Sequence, residues 1–268
     1  MKIEETYQNN IYNIRMLATY LGADEKTFLD YYQELRDDSG FLDAINVQVQ
    51  WARETHHFTK GIFKSHPISS IDWFAFQRIL LYILVRHFKP SHILETGVFY
   101  GGNTVFLLNG LHKNGAGELT SIDYPAYEME RAAGSQARHV LVGDSESYSP
   151  ELTPGFIIPP VLKDKWKLII GDSLKEIPNI KTRFDLYLHD SEHSMTFLTK
   201  ELELAWNCLS PKGIAVVDDI DWSNAFFAFC VRHRLSPALF TDNGKDNLRV
   251  RTGLCCKEHP KNQNESFN

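Results

Sequence analysis

The sequence predicts an α/β fold: a doubly wound, mostly parallel sheet with an antiparallel last strand, preceded by an N-terminal helical extension. Three observations predict it. After Pro90, short apolar runs that end in Gly or Asp recur along the chain, as buried parallel strands require. Segments of helical length lie between those runs, so strand and helix alternate. The last two runs, "PALFTD" and "LRVRTGLCCK", are joined by the turn formers Asn243-Gly244 and Asp246-Asn247, so the final run returns as a hairpin.

Taken in order, residues 1–89 read as the helical extension. From Ala23 to about His87, "ADEKTFLDYYQELRDD" and "SSIDWFAFQRILLYILVRHF" each begin at a small or acidic cap and carry apolar residues at three and four spacing. Pro90 ends the second of these. Residues 90–257 then supply the strands "HILETG", "ELTSIDY", "KLIIGDS", "FDLYLHD" and "GIAVVDDI" ahead of the terminal hairpin, with helices expected at Asn103–Leu111 and Met195–Leu209. Residues 143–165 hold Pro150, Pro154, Pro159 and Pro160 and read as a lid loop, whose Phe156, Ile157 and Ile158 a freely solvated linker would not need. Residues 258–268 form a polar tail.

Composition narrows the partners. The chain has 268 residues, enough for one sizeable core and a small appendage. Its formal charge is -6 and no Lys/Arg run is clustered, which argues against nucleic acid and anionic membrane. The start "MKIEETYQNN" is too polar for a signal peptide, and the apolar stretch Ile79–Val85 is too short to span a bilayer. A cytoplasmic location is expected. Cys208, Cys230, Cys255 and Cys256 show no metal or disulfide spacing and read as buried free thiols. The apolar N-terminal helices could pack against a second copy, so a homo-oligomer is an expectation.

In an open parallel sheet the ligand sits beyond the carboxyl ends of the strands, where the chain order reverses. The first strand end, "ILETGVFYGGN", offers Glu95, Gly97 and Gly101; glycines let backbone approach a ligand, and the next helix offers free amides. Asp123 ends the second strand and could accept from both hydroxyls of a ribose, or simply cap a turn. Asp172 and Ser173 end the third and could bond an adenine edge, with helix capping the plainer alternative for Asp172. Together these ends suggest a nucleoside pocket.

Asp190 ends the fourth strand and Asp218 with Asp219 the fifth, so three carboxylates are expected to converge. Such a group repels itself unless protons or a cation intervene, and hard oxygen ligands select magnesium, manganese or calcium over zinc, with magnesium the default. One of Asp219 and Asp221 is expected to cap the following helix. His193, three residues after Asp190, could take a proton from a hydroxyl in the same pocket, while His189 should point the opposite way and be structural. Trp222 is the aromatic residue expected nearest a substrate.

With these residues in view, the stretch from Pro90 to Lys257 resembles class I S-adenosylmethionine-dependent methyltransferases, and within them the metal-dependent small-molecule O-methyltransferases similar to macrocin O-methyltransferase and the cephalosporin-biosynthesis "hydroxylase". The family's E-x-G-x-x-x-G loop matches Glu95, Gly97 and Gly101, with Asn103 where many members carry Ser, and its ribose acid matches Asp123. The resemblance implies a seven-stranded Rossmann-like sheet, S-adenosylmethionine as cofactor, Mg2+ or another hard divalent cation on Asp190, Asp218 and Asp219, and His193 as base. It implies methyl transfer to a hydroxyl of a small molecule. The rivals are a metal-independent methyltransferase of the same fold, a nicotinamide-dependent reductase suggested by "TGVFYGG", and a non-catalytic nucleoside-binding module. The reductase reading lacks the Tyr followed four residues later by Lys that such enzymes use.

Overall fold

A computed structural model describes residues 3–58, 64, 66–125, 152–243 and 248–258. Four long helices come first: α1 (Ile3–Leu21), α2 (Glu25–Asp37), α3 (Ser39–His56) and α4 (Phe76–Phe88). α2 and α3 start where a carboxylate satisfies a free amide: Asp24 accepts from Thr27 N and Asp38 from Phe41 N, both at 3.0 Å. α4 stops at Lys89, in the left-handed region, just before Pro90. α1 extends the helical region about twenty residues ahead of Ala23, and its Ile14, Leu17, Ala18 and Leu21, spaced three and four apart, are buried.

A buried polar knot binds these helices to one another. Asp72, 2 % exposed, accepts from Asn10 Nδ2 at 3.3 Å and from Tyr32 OH, and pairs with Arg36 Nε at 3.2 Å. A carboxylate taken so far from water is tolerated because each oxygen has donors.

The sheet has seven strands: β1 (His92–Thr96), β2 (Glu118–Asp123), β3 (Trp166–Ile170), β4 (Phe184–His189), β5 (Leu209–Val217), β6 (Ala238–Asn243) and β7 (Leu248–Cys256). Their order is β3-β2-β1-β4-β5-β7-β6, with β7 antiparallel to both its neighbours and the other pairs parallel. Four further helices, α5 (Thr104–Asn114), α6 (Ser173–Glu176), α7 (Met195–Cys208) and α8 (Ala225–His233), lie along the crossovers. The doubly wound sheet, its antiparallel last strand and the helical lead thus agree with the sequence expectation. β5 starts at Leu209, four residues ahead of Gly213, and slips register between its pairings with Phe184 and Leu186.

Strand alternation sends side chains to two separate cores. Ile93, Leu186, Leu188, Ile214 and Val216 join the core under α4 and α5, while Leu94, Tyr187, Ala215 and Val217 join the core under α7 and α8. Both faces being covered explains why the strands read as continuous apolar runs. Each such Leu, Ile or Val adds roughly 1.5–3 kcal/mol on burial.

Where the Pro-rich stretch is described, it is docked. Leu152, Ile157 and Ile158 are buried, Gly155 N donates to Phe99 O at 2.8 Å, and Ile157 N donates to Tyr100 O at 3.1 Å. Residues 143–151 of the expected lid, the turn pair Gly244 to Asn247 and nearly all of the 258–268 tail lie outside the described residues.

Candidate active site

The strand order reverses between β1 and β4, and the loops that leave their carboxyl ends are knitted together. Asp190 N donates to Thr96 O at 2.8 Å, Asp218 N to His189 O at 3.0 Å, and Gly97 N to Ile122 O at 2.9 Å. Gly97 has φ +82°, and a Cβ there would overlap the Asp190 carbonyl, so only glycine lets the two loops touch.

Asp123 closes β2 and accepts from Val98 N at 2.6 Å and Phe99 N at 2.8 Å through Oδ2. Burial raises its pKa, and these two amides oppose the rise. It thus sets the path of the β1–α5 loop, and Oδ1 is left for a ligand.

Asp190, Asp218, Asp219 and His193 are brought together, as the sequence expects. His193 Nε2 lies 3.8 Å from Asp190 Oδ1 and 3.9 Å from Asp219 Oδ2. Burial and then the neighbouring His189 lower the His193 pKa to about 4, so its imidazole is neutral at neutral pH and keeps a lone pair. The Trp222 ring is tilted against it at 5.5 Å and is 65 % exposed, so it forms an outer wall of the site.

Each of the three carboxylates already has a donor. Asn103 Nδ2 donates to Asp190 Oδ2 at 2.6 Å. Arg251 Nε donates to Asp218 Oδ1 at 3.2 Å and lies 2.7 Å from Asp219 Oδ1, while its Nη2 donates to Asp218 Oδ2 at 3.4 Å. Arg249 Nη2 donates to Asp219 Oδ1 at 3.2 Å, and its Nη1 lies 3.3 Å from Asp221 Oδ2. The Gln77 amide, with its nitrogen toward Asp218, donates to both oxygens at 2.8 and 3.0 Å. Burial raises the pKa of Asp190 well above the usual carboxylate range, with the charges of Asp218 and Asp219 adding to it; burial also raises those of Asp218 and Asp219, and Arg251 opposes the rise in all three.

Among the described residues no group of three or more His, Cys, Asp or Glu side chains is arranged to hold a metal ion. With a guanidinium bonded to two of the three expected ligands, the donor set as it stands does not fit a resident divalent cation, because the two positive charges would compete for the same oxygens.

The remaining expected residues sit apart from this cluster. Glu95 is fully buried on the α5 side, accepting from Thr104 Oγ1 at 3.0 Å and Ser121 Oγ at 2.6 Å, and burial raises its pKa to about 8. Gly101 (φ +97°) lets its loop meet Gly155. Asp172 caps α6, accepting from Leu174 N at 3.0 Å. Ser173 Oγ donates to the buried Glu201, which also holds His189 Nδ1 and accepts from Tyr187 OH at 2.9 Å and Thr96 Oγ1 at 3.0 Å. His189 does not point away from His193 as expected: its Nδ1 is held by Glu201, and its ring meets the His193 ring edge to face at 5.2 Å, while Ser191 Oγ, which donates to Glu201 at 3.0 Å, supports the loop that carries His193.

Sequence reasoning missed Arg251, Arg249, Gln77 and Arg78. Arg78 Nη2 donates to Tyr100 OH at 2.7 Å and its Nε to Asn103 Oδ1 at 3.4 Å, so α4 lends two side chains to the site. The alternating arginines of "LRVRTG" were the available signal.

A comparison with protein-family models matches residues 94–220, from within β1 to just past Asp219, to a methyltransferase domain. Residues 94–220, just under half of the chain, are thus similar to a methyltransferase domain. No match to the chain is found among curated proteins. Among solved structures, the methyltransferase fold is shared with an O-methyltransferase from Bacillus cereus in complex with S-adenosylhomocysteine, at 17% identity and TM-score 0.52, over 82% of this chain and 92% of that one. It is shared also with the O-methyltransferase TomG from Streptomyces achromogenes, involved in tomaymycin synthesis and solved with S-adenosylmethionine, at 16% identity and TM-score 0.51, over 86% of this chain and 95% of that one. At such identities the likeness establishes the fold.

Proposed function

We propose that the chain is an S-adenosylmethionine-dependent O-methyltransferase acting on a hydroxyl of a small molecule. The observation that carries this reading is that a loop and carboxylate suited to a nucleoside, Gly97 to Gly101 with Asp123, open onto a neutral imidazole, His193, at the point where the strand order reverses. The match to a methyltransferase domain supports it, as do neighbours of the same fold described as O-methyltransferases with that cofactor or its product.

Asp123 suits the cofactor: with Oδ2 spent on the Val98 and Phe99 amides, its Oδ1 has no hydrogen-bond partner among the described residues and can meet a ribose hydroxyl. S-adenosylmethionine supplies an electrophilic methyl on a sulfonium. The chain's own part is to position and deprotonate. The acceptor hydroxyl would lie against His193 Nε2, whose lone pair would take its proton, leaving the oxygen free to accept the methyl group that the bound cofactor would supply. Trp222 covers the acceptor on the solvent side. Asp219, beside the imidazole, stabilises the imidazolium that results.

The magnesium assistance expected from the sequence is left out of this scheme, because Arg251 already bonds Asp218 and Asp219. None of the helices among the described residues is long and apolar enough to cross a membrane, and the four cysteines are free thiols, which suits the reducing cytoplasm as the place of action. We place acceptor choice in the N-terminal helices, of which α4 lends Gln77 and Arg78 to the site, and in the Pro-rich stretch, whose described part docks on Phe99 and Tyr100.

Calorimetric titration with S-adenosylhomocysteine and, separately, with NADH tests the cofactor; transfer of labelled methyl from S-adenosylmethionine to a panel of sugars, phenols and aliphatic alcohols tests the reaction. Binding of S-adenosylhomocysteine alone, with label on a hydroxyl, is expected. Binding of NADH alone, or of neither, overturns the reading.

A further inference from the structure

The acid cluster contains its own cation, and the fold delivers it by a specific device. β7 runs antiparallel beside β5 with Val217 opposite Gly253, so continuing that register sets Arg251 across from Asp219. On its other side β7 pairs with β6 at Thr252 with Phe240 and then at Val250 with Thr241, which makes Arg251 the extra residue of a β-bulge. Its backbone is held as well: Arg251 O accepts from Ile220 N at 3.0 Å, just past the two acids that its guanidinium bonds.

We propose that Arg251 is the resident cation of this site, standing where Asp190, Asp218 and Asp219 would otherwise gather a divalent metal, and that methyl transfer by this chain is therefore metal-independent. The inference rests on the proposed methyl-transfer reading for its second half only; the occupancy of the acid cluster by Arg251 stands apart from it. Three observations converge. The guanidinium bonds both acids at the end of β5, at 2.7 to 3.4 Å. The register of β7 against β5 places it there. The groups facing the acids from the other elements are Gln77 and Arg78 of α4, Asn103 ahead of α5 and Arg249 of β7, which are donors or cations already engaged, and the neutral His193 of the β4–α7 loop.

Burial favours loss of the arginine's proton, but the charges of Asp218, Asp219 and Asp190 outweigh it and hold Arg251 charged. A guanidinium has five N–H donors, and its bonds to two aspartates leave donors to spare. Arg251 therefore acts as a positioning residue: it fixes Asp218 and Asp219, keeps the three carboxylates from repelling one another, and leaves Asp190 and Asp219 set around His193.

The test uses Mn2+ as the probe, read by electron paramagnetic resonance and by thermal unfolding on the full chain, with S-adenosylhomocysteine binding measured in parallel. Wild type is expected to bind no stoichiometric Mn2+. Arg251→Gln, which removes the charge and keeps most of the volume, is expected to gain one Mn2+ at least about tenfold tighter than wild type, with a rise in melting temperature that Asp218→Asn abolishes. One equivalent of Mn2+ bound by wild type and lost in Asp218→Asn overturns the proposal, and so does a folded Arg251→Gln that gains none. If Arg251→Gln fails to fold, Arg251→Ala is read in the same way; if neither variant folds, the wild-type titration decides, one equivalent bound overturning the proposal and none supporting it. Failure of S-adenosylhomocysteine to bind counts against the methyl-transfer reading and leaves the Mn2+ result to stand on its own.

Discussion

Glu95 offers a prediction whose sign and size follow from its surroundings. The side chain is fully buried between β1, β2 and α5, held by the Thr104 and Ser121 hydroxyls, with no cation bonded to it, and its pKa rises from 4.5 to about 8. The native protein therefore keeps a proton on Glu95 between those two values, whereas the unfolded chain has lost it. A group whose folded pKa is raised contributes stability fully present below the unfolded pKa and lost as pH climbs toward the folded one. Over that window wild type should lose up to about 1.4 kcal/mol of stability per pH unit from this residue. Glu95→Gln keeps the shape and the capacity to bond two hydroxyls but has no proton to lose. The gap between variant and wild type should then widen in favour of the variant by on the order of 2 kcal/mol from about pH 5.5 to about pH 7.5. Urea unfolding of both proteins at several pH values measures it. A gap that stays flat, or widens in favour of wild type, would show that Glu95 is ionised in the native state and sink the reasoning.

Other consequences can be checked as directly. His193→Ala should cut turnover by about 10²- to 10⁴-fold while S-adenosylhomocysteine still binds, as a lost proton acceptor would; unchanged turnover on a confirmed acceptor removes the base assignment. Because the His193 pKa is lowered to about 4, the base form is present above that value, so kcat/KM should hold its plateau down to about pH 5 rather than fall through 6.5. Gly97→Ala should destabilise the chain by several kcal/mol or prevent soluble expression, since the new methyl group meets the Asp190 carbonyl and the backbone holds φ +82°; a circular-dichroism melt near that of wild type would refute it. Ile158→Ala should cost about 2–5 kcal/mol in urea unfolding, since Ile158 is fully buried in the docked part of the Pro-rich stretch; a loss under ~1 kcal/mol would mean that this segment undocks freely.

The sheet was legible because a parallel strand covered on both faces must be apolar along its whole length, and the runs ending at Thr96, Asp123 and His189 announce themselves that way. The acids of the site were legible for a related reason: a carboxylate directly after an apolar run has nowhere to go but the rim of the sheet. α1 was harder to see, since Asn9, Asn10, Asn13 and other polar residues dilute its apolar stripe, yet Asn13 Nδ2 reaches across to Thr241 O at 2.7 Å and turns that polarity into packing. Glu95 matched a motif position, and only the structure shows that it is spent on two hydroxyls inside the sheet. For Arg251 the alternating arginines of "LRVRTG" were a signal easily passed over. In a strand with one arginine two residues away it reads as an ordinary solvated edge, and the register of β7 against β5, which places it, leaves no mark in hydrophobic periodicity.

The reversed direction of β7 has a bearing on how the chain is made. Every other strand that borders the acid cluster ends there, and its acid emerges from the ribosome directly after its apolar run; β7 alone begins there, and it is the last strand to appear. A nascent chain that has already laid down Asp190, Asp218 and Asp219 thus holds them without Arg249 or Arg251 until the C-terminal strand arrives. The charge of those acids is met by the arginines once β7 takes its place between β5 and β6.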